Sequence, residues 1–136
     1  MQPTNATNET PENALGIHHA GFLVSDLARA LAFYEGIIGL SRLPRPDLPY
    51  PGAWLAVGAQ QLHLMRLESP DPLERPPHGG RDRHLALRFR SIEPIAQALD
   101  AASWSYTRSR SGRAALFCRD PDGNTLECLA VSNEDA

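Results

Sequence analysis

Twice along its 136 residues this chain passes through one order of elements, a strand, a capped helix and three further strands, and few folds accommodate that duplication. In the first pass, GIHHAGFLV over 16–24 reads as a strand with Ile17, His19, Gly21 and Leu23 on one face and His18, Ala20, Phe22 and Val24 on the other. Ser25 and Asp26 then offer capping oxygens to LARALAFYEGII, whose Leu27, Ala30, Leu31, Tyr34 and Ile38 recur at helical spacing. The pattern predicts a helix over 27–37 stopped near Gly39, a proline-broken stretch with a short strand at 41–43, and strands over 53–57 and 60–67.

The second pass predicts a strand over 84–89 and a helix capped by Ser91 with Ile92, Ile95, Ala96 and Leu99 on one face. Strands over 104–107, 114–118 and 125–131 follow, the last two joined by the turn DPDGN, in which Gly123 can take positive φ. The fold class expected is α+β, with paired βαβββ modules forming a curved mixed sheet around a cavity. Module one covers 16–68, a Pro- and Gly-rich linker 69–82, and module two 83–131, all within one domain over 15–136. Residues 1–14 are polar and read as a flexible tail.

Composition removes several function classes. The net charge is -3 and no basic stripe occurs, so nucleic acid is not an expected partner. All 13 basic residues are arginines, which excludes lysine Schiff-base chemistry. Neither a signal peptide nor a long apolar run is present, so no membrane partner is expected and the cytoplasm is the expected compartment. Cys118 and Cys128 read as core thiols, since two cysteines make no disulfide framework.

What remains is a set of donors on separate strands: His19, His63, His84 and Glu127. Imidazole nitrogen and carboxylate oxygen suit zinc, nickel, manganese and iron, and two histidines with one carboxylate leave coordination positions for substrate. Glu127 stands in the apolar strand TLECLAV, where an unpaired carboxylate costs several kcal/mol; a metal ion, an arginine or a solvated edge would each relieve that cost. His19 and His84 occupy equivalent places in the two passes, whereas His18 points to the opposite face. His63 can serve as a fourth ligand, a base or a cavity-lining donor. Arg81 and Arg83 flank the His84 strand behind Gly79-Gly80, a pair that can close over a pocket and meet an anionic substrate group, and Phe117 is a candidate wall.

The segments GIHHAGFLVSDLARALAFYEGIIGL, QQLHLM, GGRDRHLALRF and ALFCRDPDGNTLECLAV resemble the vicinal oxygen chelate superfamily, which includes glyoxalase I, fosfomycin-modifying enzymes, bleomycin resistance proteins and extradiol dioxygenases. The resemblance implies the glyoxalase-like fold, a homodimer, and a divalent ion held by His19, His84 and Glu127. It places His63 where glyoxalase I carries a further metal-binding acid. It implies a glyoxalase-like lyase or isomerase acting on a small oxygen-chelating substrate, with Glu127 as base and His63 assisting. An extradiol Fe(II) dioxygenase and a metal-free resistance-type binding protein are the alternatives.

Overall fold

The computed structural model describes residues 13–131; the predicted tail lies outside these residues but for its last two positions. Strand β1 (His19–Val24) leads through Ser25 into helix α1 (Leu27–Leu31), and the Asp26 carboxylate accepts from the Arg29 amide 3.1 Å away, as a capping residue should. The predicted helix does reach residue 37, but its second half, Ala32–Ile37, widens: the Ile38 amide bonds five residues back, to Phe33 O at 3.0 Å. This widened stretch carries Phe33 and Tyr34, both buried. Gly39 ends it at φ +88, a conformation that favours glycine. Then come β2 (Ser41–Leu43), β3 (Gly52–Val57) and β4 (Gln60–Arg66).

The second pass gives β5 (His84–Phe89), α2 (Glu93–Ala101), β6 (Tyr106–Arg108), β7 (Ala115–Arg119) and β8 (Thr125–Ala130). Ser91 stands one residue outside the expected cap position, its hydroxyl accepting from the Glu93 amide at 3.3 Å. At the DPDGN turn Gly123 has φ +87, and Asp120 Oδ1 accepts from the amides of Asp122 and Asn124.

The strands form two four-stranded mixed sheets, ordered β1-β4-β3-β2 and β5-β8-β7-β6, which reproduce one topology twice. The first strand of each module pairs in parallel with the last, β1 with β4 and β5 with β8, and the remaining pairs are antiparallel. The duplicated order read from the sequence is the observed architecture, although β1 and β5 each lie at a sheet edge, so the assembly is curved without closing into a barrel.

One core serves both modules. Leu55, Leu62 and Leu64 of the first sheet and Leu116, Leu126 and Cys128 of the second are fully buried beneath the helices, with Phe33, Tyr34, Ile95 and Leu99 among their neighbours in the cluster. Cys118 is buried there too, and both cysteines are free. The modules are also tied by polar bonds: the Tyr34 hydroxyl donates to Asp120 Oδ2 at 2.7 Å, the Ser25 amide to Asp122 at 3.1 Å, and the Asn124 side chain to Leu23 O at 3.0 Å. Burial raises the pKa of the Asp120 carboxyl against the pull of its hydrogen bonds from Asn124, Tyr34 and the Asp122 amide, and burial, followed by Asp120, raises that of the Tyr34 hydroxyl. Because side chains alternate along a strand, burying Leu62, Leu64, Leu126 and Cys128 turns His63 and Glu127 to the faces away from the helices.

Candidate functional site

On the second sheet the β5-β8 register sets Glu127 opposite Ala86, and His84, two residues earlier on the same face, reaches it diagonally. His84 Nε2 lies 3.3 Å from Glu127 Oε1. The other ring nitrogen, Nδ1, is 2.8 Å from the Asp82 carbonyl, which can only accept, so Nδ1 carries a hydrogen. In the neutral ring Nε2 then presents a lone pair to a carboxylate oxygen, an arrangement completed by a proton or a cation between them. Phe117, paired with Glu127 in the ladder, stands edge-on to His84 at 5.5 Å between ring centres.

Glu127 is only 5% exposed, and its second oxygen, Oε2, is buried without a hydrogen-bond partner. The nearest cation is Arg113, whose Nη2 lies 3.4 Å from Oε2. Arg113 was not predicted from sequence; it sits in the polar loop SRSGR, where no spacing distinguishes it from a solvated arginine.

Asp82 anchors the segment that orients His84. Its carboxylate takes Arg75 Nε and Arg119 Nη1, each at 2.8 Å, and the Arg75 guanidinium holds its carboxyl well below the usual carboxylate range, with Arg119 adding to the effect. Arg119 also binds Thr125 Oγ1 and, at 2.6 Å, the Pro76 carbonyl. The glycines ahead of Asp82 form a tight 3-10 turn, Gly79–Arg81, laid against the second sheet. A Cβ on Gly79 would come within 2.6 Å of Thr125 Cγ2 and 3.2 Å of Phe117 Cβ. These glycines permit the close approach of the turn to Thr125 and Phe117. Arg83 extends to Asp71 at 3.0 Å and, with His84, lines a cleft of about 420 Å³ between β1 and β5; Arg81 is exposed and is not among the residues lining that cleft.

The first sheet holds a second group of donors. Trp54, His63 and His19 form a column: Trp54 and His63 are parallel to within 1° at 4.1 Å, and His63 and His19 stack at 4.0 Å. Register explains it, since Trp54 pairs with His63 across β3-β4, and His63 pairs with Gly21, two residues beyond His19. Gly21 carries no side chain to separate the rings. His63 Nε2 is 2.7 Å from Gln61 Oε1, and burial, reinforced by His19 and His18, lowers the pKa of His63. His18 Nδ1 lies 2.9 Å from His19 Nδ1, so one ring donates and the other accepts.

The structure therefore joins His84 with Glu127, and His19 with His63. Among the described residues of one chain, no three His, Cys, Asp or Glu side chains come together as a metal-binding group. The pair of His84 and Glu127 nevertheless fits a divalent ion. Two metal bonds of about 2.1 Å at tetrahedral or octahedral angles separate their donor atoms by about 3.0–3.4 Å, which matches the 3.3 Å between His84 Nε2 and Glu127 Oε1. The orphaned Oε2 is a further oxygen that such an ion would satisfy.

The same arrangement has a wider context. A family model described as the Glyoxalase/Bleomycin resistance protein/Dioxygenase superfamily matches residues 16–128. The chain belongs to this superfamily. Its relatives include lactoylglutathione lyase GLX1 of Arabidopsis thaliana, 25% identical over 120 residues that cover 82% of this chain and 42% of the plant protein. This chain thus spans less than half the length of that relative. Glutathione transferase FosA of Serratia marcescens is 28% identical over 114 residues, covering 82% of this chain and 77% of that one. The same fold occurs in the fosfomycin resistance protein FosX of Listeria monocytogenes, in a crystal structure with Mn(II) and 1S,2S-dihydroxypropylphosphonic acid. That comparison has a TM-score of 0.68 at 17% identity and covers 88% of this chain and 94% of FosX. Superfamily membership accounts for the duplicated sheets. No helix among the described residues is long and apolar enough to cross a membrane.

Proposed function

We propose that this superfamily member is a divalent-metal-dependent, glyoxalase-like lyase or isomerase acting on a small substrate with adjacent oxygen donors. The observation that carries the reading is the facing pair of His84 Nε2 and Glu127 Oε1, with the histidine tautomer fixed by the Asp82 carbonyl and a buried carboxylate oxygen left over. His84, Glu127 and His19 would hold the ion. His63 has Trp54 on one ring face and His19 on the other, with Nε2 against Gln61, a setting that suits orientation of His19 better than ligation. A divalent ion would supply Lewis-acid stabilisation of charge developing on chelated substrate oxygens. Glu127, beside Phe117, would take or return a proton at its carboxylate, and Arg83 on the cleft would meet an anionic substrate group. Lactoylglutathione lyase among the relatives and Mn(II) in FosX support the reading.

Because no three donors meet among the described residues of one chain, we further propose that a homodimer completes the set, His19 of one copy joining His84 and Glu127 of the other. The test has two parts. Titration of the metal-free protein with Mn(II), Ni(II), Zn(II) and Fe(II) should show stoichiometric binding that is lost in His84→Ala and Glu127→Ala. Mixing His19→Ala with Glu127→Ala protein should then regenerate one intact site per mixed dimer. Absence of binding by the wild type would sink the metal reading, and absence of complementation would sink the shared site. Oxygen-dependent turnover of catechols by Fe(II)-loaded protein, with no formation of lactoylglutathione, would replace the isomerase by the dioxygenase.

A further inference from the structure

Arg113 is the guanidinium nearest to the proposed metal-binding carboxylate, and it is held there loosely. Its Nη2 is 3.4 Å from Glu127 Oε2, inside ion-pair range, yet Oε2 has no hydrogen-bond partner. The contact is one of charge without aligned donor geometry. The two ends also differ in environment: the arginine side chain is 55% exposed, the glutamate side chain 7%. The arginines on Asp82 behave differently, approaching at 2.8 Å with side chains only 8% and 24% exposed. Arg113 also ends a polar loop, where its amide donates to Ser111 Oγ at 3.4 Å and Gly112 takes φ +85. A long, solvated side chain at the end of such a loop can leave the carboxylate at little cost.

We infer that Arg113 is an exchangeable counter-cation, occupying Glu127 until a divalent ion takes its place, so that metal uptake at this site is a cation exchange. The inference rests on the metal-centre reading above. A buried carboxylate needs compensation in the metal-free protein, and the rim guanidinium supplies it. A divalent ion on Glu127 repels a guanidinium at that distance and satisfies the carboxylate better, so Arg113 swings out to the solvent that already reaches it. Apparent metal affinity is thereby lowered by the work of removing Arg113. The exchange also favours divalent ions over monovalent cations, whose attraction to one carboxylate is no stronger than that of the arginine.

Calorimetric titration of metal-free wild type, Arg113→Gln, Arg113→Lys and Glu127→Gln proteins with Mn(II) tests this. Arg113→Gln should bind about two- to fivefold more tightly at low salt, the upper part of the range expected for loss of one partly exposed ion pair, and the gain should shrink as ionic strength rises. Arg113→Lys, which keeps the charge, should stay near the wild type. Equal or weaker binding by Arg113→Gln, with Glu127→Gln abolishing binding, overturns the exchange and leaves the metal centre standing. No Mn(II) binding by the wild type removes the metal centre and the exchange with it. Should Arg113→Gln not fold, the Arg113 Nε–Hε resonance of the wild type replaces it: on Zn(II) addition the signal should move to the position of a solvated arginine. An unmoved signal at saturating Zn(II) overturns the exchange.

Discussion

Replacing Asp82 by asparagine removes one negative charge and almost no volume, from the point where the interdomain-like segment 69–82 is fastened to the second sheet. The lost partners are Arg75, 8% exposed, and Arg119, 24% exposed, each 2.8 Å from the same oxygen. Deleting one member of a buried pair costs about 3–5 kcal/mol, because the remaining charge is left without compensation. Arg119 keeps bonds to Thr125 and the Pro76 carbonyl, which places the expected loss near the lower end, about 3 kcal/mol. Set against a typical domain stability of about 5–15 kcal/mol, that is a large fraction. Urea unfolding of the metal-free protein should show a lower midpoint at unchanged slope.

The pH dependence gives a second, independent reading. The folded carboxyl titrates below its ordinary value of 3.8, so its contribution is present above that pH and is lost as pH falls towards the depressed folded value. The gap between wild type and Asp82→Asn should therefore be constant near neutrality and narrow below about pH 3.8. A loss under about 1 kcal/mol, or a gap that does not narrow in acid, would refute the claim that Asp82 is an electrostatic anchor. Asparagine keeps the backbone carbonyl that fixes the His84 tautomer, so metal affinity should fall only through loosening of the segment that carries this carbonyl.

Three further outcomes are expected. Tyr34→Phe leaves Asp120 Oδ2 without its 2.7 Å donor at the junction of the modules, and should cost about 1.5–3 kcal/mol by chemical denaturation. Gly79→Ala drives a methyl group into Thr125 and Phe117 and should cost about 1–3 kcal/mol, whereas helical Gly36→Ala, with nothing within 4 Å, should stabilise by up to about 1 kcal/mol. In metal-free protein His63 resists protonation, so its contribution is present above its ordinary pKa of 6.5 and lost as pH falls through the lower folded value. His63→Phe keeps a ring in the column and should lose less stability than the wild type as pH falls below 6.5.

Much of the site was legible because strand alternation is a local property. Burying Leu126 and Cys128 forces Glu127 to the opposite face, and the same rule sends His63 away from Leu62 and Leu64. The capping at Asp26 and the turn at Gly123 were equally local, each decided by one side chain or one backbone angle. Arg113 and Trp54 were not legible, because each gains its meaning from a neighbour on another strand or loop. The Gly79-Gly80 pair shows the same limit: a glycine that permits motion and one that permits contact are identical in sequence, and only the approach of Thr125 and Phe117 distinguishes them.

By itself, then, the amino-acid order determined the repeated βαβββ units and the sheet face on which each donor lies, because hydrophobic period and turn chemistry act over a few residues. Tertiary structure alone decided that His84 meets Glu127 while His19 meets His63, and that arginines rather than solvent surround Asp82. Those pairings depend on strand register and on which edges the two sheets leave unpaired, and both are settled only when distant segments share one core.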